Sequence, residues 1–265
     1  MLPVNVPPFR RVCQLFALSL FLVFFMLLIA SPAWSNQQEK PDMKDMPGMN
    51  HADMHAPTGP EDPAVVAKRL ADKRESEFNH HLAGLFVVLA GLFILGEGKL
   101  AQRWPLVRYA WPVCFLAAGL FLLIFSDTEI WPFGPQTPWY AITHNMEDLQ
   151  HKTFAVILLA LGYVEFERTR GRFKAAWTAW FFPVVGMAGA ILLLFHVHGG
   201  DMNAPGAMES MERIQKEHFW FALTGFGIAL TNGLAETPSR WKQFFKYIWP
   251  ALLIALGVLL IRYTE

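Results

Sequence analysis

The chain has 265 residues, of which 54% are hydrophobic and 17% charged, with a formal net charge of zero. That balance excludes a nucleic-acid binder, which needs a basic excess, and a disordered chain, which cannot be so apolar. Both cysteines, Cys13 and Cys114, fall inside apolar runs, so neither a disulfide framework nor a thiolate metal site is expected.

The N-terminus reads as an export signal over residues 1–35. Arg10 and Arg11 precede an apolar run over 12–30, and Ala33 and Ser35 are small residues placed for cleavage after Ser35. The run is long for a signal, so an uncleaved anchor is the alternative; either reading leaves Asn36 outside. Residues 36–79 form an exported tail and lead-in helix: the first part is polar, with no sustained apolar period, and 63–78 has the pattern of a helix entering the membrane.

The rest, 80–265, reads as an all-α, polytopic membrane helix bundle with about six transmembrane helices. Apolar runs near the length that crosses a hydrocarbon core fall at about 80–95, 105–125, 151–163, 177–195, 219–234 and 247–261. Three alternate connections are basic, carrying Lys99, Arg103 and Arg108, then Arg168, Arg170, Arg172 and Lys174, then Arg240, Lys242 and Lys246. The two between them are acidic, with Asp127, Glu129, Glu147 and Asp148, then Asp201, Glu209, Glu212 and Glu217. The positive-inside rule therefore puts the tail and the C-terminus outside, and Glu97, Glu165, Glu167 and Glu236 at the inner boundary as solvated helix ends.

Histidine placement is the most informative feature of the sequence. Of nine histidines, His51 and His55 lie in the tail, and His80, His81, His144, His151, His196, His198 and His218 all map to the outer ends of the spans. Positions seven or eleven apart share a helix face, which groups His80 with Gly84 and Gly91, His151 with Gly162, His196 with Gly189, and His218 with Gly225 and Ala229. Small residues mark the sides on which membrane helices approach closely, so four helices each turn a histidine toward the bundle interior. If the third span extends outward, His144, Glu147 and His151 also lie along one stripe.

Convergent imidazoles suit copper, zinc, iron or nickel, and leaving them unliganded in a desolvated site is costly. The set His80, His151, His196 and His218 is thus a candidate metal or haem site, with His81, His144 and His198 beside it. The tail indicates which metal. Met43, Met46, Met49 and Met54 space thioethers among His51 and His55, and soft thioether sulfur selects Cu(I) while imidazole also accepts Cu(II). Met202, Met208 and Met211 follow His196 and His198 in the next connection, although Met208 and Met211 fit equally well on the apolar face of a short helix.

The tracts Met-Pro-Gly-Met (46–49) and Asn-His-Ala-Asp-Met-His (50–55) resemble the Met/His-rich segments of bacterial periplasmic copper-resistance proteins. The multi-span architecture with histidines at one face resembles the CopD/PcoD class of copper-resistance membrane proteins. The resemblance implies copper handling in a bacterial inner membrane, with His80, His81, His151, His196, His198 and His218 as ligands and periplasmic copper carriers as partners beside the lipid bilayer. Two other classes fit the same histidines. One is an electron-transfer protein with haem b held axially between facing helices. The other is a metal-dependent membrane oxidoreductase using Glu147, Asp201 or Glu217. No Walker loop or dinucleotide glycine fingerprint is present.

Overall fold

A computed structural model describes residues 62–196 and 207–264. The export signal, the tail ligands Met43, Met46, Met49, His51, Met54 and His55, and loop residues His198, Asp201 and Met202 lie outside the described residues. The chain divides into two units at Leu70; in the first, Asp62 caps a helix by accepting a hydrogen bond from the Ala64 N–H at 2.9 Å, with Pro63 in the first helical position.

That helix, α1, runs over Pro63–Arg103 as one 41-residue element. The lead-in helix and the first span expected from the sequence are therefore continuous, because no glycine or proline interrupts residues 64–83. The others are α2 (Ala110–Phe125), α3 (Pro138–His144), α4 (Met146–Thr169), α5 (Phe181–Leu194), α6 (Ala207–Glu236) and α7 (Lys242–Ile261). Short 3₁₀ turns, Pro105–Tyr109 and Ala176–Trp180, lead into α2 and α5. Among the described residues an isolated bridge between Ile130 and Gln136 is the β feature.

Among the described residues the protein is an all-α bundle in which four helical stretches are long and apolar enough to cross a membrane: Pro63–Arg103, Pro105–Phe125, Ala176–Leu194 and Lys242–Ile261. The other two long helices, α4 with 24 residues and α6 with 30, have the length but a diluted apolar run. In α4 it is trimmed by His151 and Lys152 at one end and Glu165, Glu167 and Arg168 at the other.

Helix α2 packs on α4, α5 on α6, and α6 on α7. Two of the helix pairs are fastened by backbone contact. A β-carbon at Gly119 would stand 2.8 Å from Leu159 Cγ, and one at Gly162 would stand 2.8 Å from Leu116 N, so α2 and α4 need both glycines. Likewise a β-carbon at either Gly84 or Gly257 would lie 2.6 Å from the other residue's carbonyl oxygen, which brings α1 onto α7. Between the helices, Trp111, Phe115, Phe182 and Trp249 form a buried aromatic layer, with Trp111–Trp249 and Phe182–Trp249 centroids at 6.0 and 5.4 Å, edge to face.

Candidate functional site

Four imidazoles from four parts of the chain form a row. His80 of α1 lies 5.7 Å, centroid to centroid, from His218 of α6; His218 lies 4.8 Å from His196, just past α5; His196 lies 5.3 Å from His151 in the first turns of α4. Their backbones reach this arrangement through close helix packing. Glycines bring α1 onto α7, and α6 fits on α5 so closely that a β-carbon at Gly225 would stand 3.1 Å from Ala190 Cβ.

Each ring in the row is oriented through Nδ1. His80 and His218 donate Nδ1–H to the carbonyls one turn back, Ser76 and Ile214, each at 2.8 Å. His196 donates to Gln150 Oε1 at 2.8 Å, and Gln150 is itself fixed because its Nε2 donates to the Phe195 carbonyl at 2.7 Å. His151 donates to Asp127 Oδ1 at 2.8 Å. Carbonyl and carboxylate oxygens only accept, so the proton sits on Nδ1 in all four rings. In the neutral form the ring's lone pair is then on Nε2.

The other histidines are placed differently. His81 donates Nε2–H to the Tyr263 carbonyl at 3.0 Å, the opposite tautomer. His144 is exposed, stacks on Tyr140 with centroids 4.2 Å apart, and hydrogen-bonds the Tyr140 carbonyl at 3.0 Å. The expected stripe of His144, Glu147 and His151 does not form. Asn145 takes an extended conformation (φ −123°, ψ 115°), ends α3, and caps α4 by accepting from the Glu147 N–H at 3.0 Å. Among the described residues no group of three or more His, Cys, Asp or Glu side chains stands arranged to hold a metal ion.

Asp127 anchors the His151 end of the row. It accepts from His151, from Lys152 Nζ at 2.7 Å and from the Ser126 hydroxyl. Burial works to raise its pKa, but the hydrogen bonds and charge of His151, with Lys152 and Ser126, outweigh that and hold the carboxyl below the usual carboxylate range. Asp148 goes the other way: burial first, then the charge and hydrogen bond of Asp127, push it up to about 7. Lys152 also donates to Ser126 Oγ at 2.9 Å and the Leu123 carbonyl at 3.1 Å, pinning the end of α2.

Tyr263 closes the other end. Its side chain is fully buried and stacks on His80 with centroids 3.9 Å apart and planes 22° from parallel. Its neighbour Thr264 gives a backbone hydrogen bond to Glu217, whose carboxyl is nonetheless raised, chiefly by burial. Tyr263, Gln150 and Asp127 are the residues that sequence reasoning did not assign to the site. The available signal was position: each lies within a turn of a predicted outer helix end.

At the opposite ends of the helices, Glu165 and Glu167 are each only 5% exposed, which corrects their reading as solvated helix ends. Arg168 Nη1 donates to both Glu165 oxygens at 2.7 and 2.9 Å, and its Nη2 reaches Glu236 Oε1 at 3.1 Å. Glu167 pairs with Arg170 at 3.1 Å and Arg172 at 3.5 Å. Buried carboxylates need such partners, and the basic connection supplies them.

No protein-family model matches the chain, and no match to it was found among curated proteins or solved structures.

Proposed function

We propose that the protein is a six-helix membrane protein that takes copper at the outward end of the bundle, with His80, His151, His196 and His218 as ligands. The observation that carries the reading is the shared Nδ1 anchoring: four neighbouring rings each give their N–H to an oxygen of the chain. Histidines that bind metals through Nε2 are held in this manner, since the second hydrogen bond fixes the tautomer and raises the basicity of the ligating nitrogen. Loading then requires the rings to converge by side-chain rotation around the ion. Neutral nitrogen ligands accept several metals; the thioether-rich tract Met43, Met46, Met49 and Met54 favours copper, as a tethered soft ligand that raises its local concentration.

In this reading α4 and α6 are the two further spans, and the site faces the periplasmic side of a bacterial inner membrane. The basic residues Arg168, Arg170 and Arg172 then lie on the cytoplasmic side. The likeness to CopD/PcoD copper-resistance proteins enters as the same proposal: capture for resistance or delivery, with periplasmic carriers as exchange partners. Passage across the membrane is not part of the proposal.

The test is metal analysis with an absorption spectrum on the full chain purified in detergent. About one or more copper ions per chain without a Soret band supports the reading, and His151→Ala with His218→Ala then removes the membrane-site copper. Iron with a Soret band replaces it with the haem reading, with the same histidines as axial candidates. Full copper retention in the double variant rules out this ligand set.

A further inference from the structure

At the inner end of the bundle lies an open-mouthed pocket of about 390 Å³, lined by Trp111, Trp249, Asn232, Glu165, Arg168 and Glu236. Helix α6 lines it, yet far from His218: from 218 to 232 is fourteen residues, about 21 Å of helix at 1.5 Å per residue. The volume falls in the range of small-molecule sites.

Three features define what the cavity would hold. Asn232 is 6% exposed, and its Oδ1 is buried with no hydrogen-bond partner among the described residues. Burying an amide acceptor without a donor is costly, so this oxygen calls for an N–H or O–H from a bound molecule. Next, the charges do not cancel. Glu165 and Glu236 supply two carboxylates against the single guanidinium of Arg168, which gives both Nη1 contacts to Glu165 and only one Nη2 contact to Glu236 Oε1. Glu236 and Asn232 are one turn apart on α6 and share a face, and both line the pocket. Finally, two indoles complete the lining and give it an apolar wall. A surplus carboxylate, an unanswered amide oxygen and aromatic walls are complementary to one kind of group.

We infer that the inner end of the bundle is a second binding site, one that takes a primary ammonium group carried by a small amine or by a lipid headgroup. The ammonium donates to Asn232 Oδ1 and Glu236, and its carbon substituents lie against Trp111 and Trp249. The site is independent of the proposed copper ligands, so each reading stands or falls alone.

The experiment is calorimetric titration of the full chain, reconstituted in phosphatidylcholine discs, with phenethylamine and with its uncharged counterpart 2-phenylethanol. Saturable binding of the amine, at least about tenfold tighter than the alcohol, is expected, a difference of about 1.4 kcal/mol. Glu236→Gln should weaken the amine at least about tenfold while leaving the alcohol little changed, and Asn232→Leu, which removes the shared acceptor, should weaken the amine at least about tenfold as well. Glu236→Gln keeps the side-chain shape and decides the matter if Asn232→Leu fails to fold. Repeating the titration with phosphatidylethanolamine in the discs separates the sources. A weaker apparent affinity assigns the site to a lipid headgroup, and an equal one assigns it to a free amine. No saturable binding, equal binding of amine and alcohol, or an unaffected Glu236→Gln variant overturns the inference and leaves a water-filled pocket.

Discussion

At the scale of single residues, the position of one proton per ring separates His80, His151, His196 and His218 from His81, and exposure separates them from His144. Asp127 illustrates the leverage of an anchoring acceptor. Asp127→Asn preserves shape but weakens acceptance from His151 Nδ1, and copper affinity should fall about 10–100-fold, read by competition with a chelator of known affinity. Tyr263 should matter through packing: Tyr263→Ala is expected to cost about 3–5 kcal/mol, whereas Tyr263→Phe, which keeps the ring on His80, should cost far less in a thermal melt. The histidines were legible in the sequence because a titratable ring at an apolar boundary stands out from its neighbours. Asp127 and Gln150 were not, since an acid or amide near a helix end is ordinary until its partner, 24 or 46 residues away, is known.

At the scale of elements, apolar runs and small residues revealed most of what the fold uses. Gly84 and Gly162 lie on the faces assigned from helical periodicity, and both make the backbone contacts such faces imply. Gly257→Val should therefore separate α7 from α1 and destabilise the bundle by about 1–3 kcal/mol, while Gly98→Val, where no atom lies within 4 Å of the added carbon, should be close to neutral. Thermal unfolding in detergent of the two variants checks this. The break at Asn145 was readable in principle, as Asn is a strong N-cap residue, but the seven-residue spacing of His144 and His151 suggested an unbroken stripe. The burial of Glu165 and Glu167 was not readable: only packing of α4 against its neighbours reveals that Arg168 and Arg170 fold back onto these carboxylates.

At the scale of the whole molecule, the proposal fixes an orientation and gives the tail a task. A cysteine introduced at Arg170 should react with a membrane-impermeant maleimide only after the inner face is exposed, and one at Trp139 should react in intact spheroplasts; the reverse pattern would refute the topology. Deletion of residues 40–54 should slow copper loading of the membrane site at limiting copper without lowering the number of ions bound at saturation. Loading at an unchanged rate would remove the tail from the capture step.

The interval between the two ends of α6 carries a final consequence. Its buried side chains are Phe221, Ala222, Ile228 and Ala229, and Phe115, Phe182, Trp111 and Trp249 from the other helices lie together in the aromatic layer. A hydrated ion would have to shed its water to enter such an apolar stretch. On the proposed reading, an ion held at the imidazole row rests on this apolar floor, and exchange with whatever waits outside is the traffic that the site itself provides for.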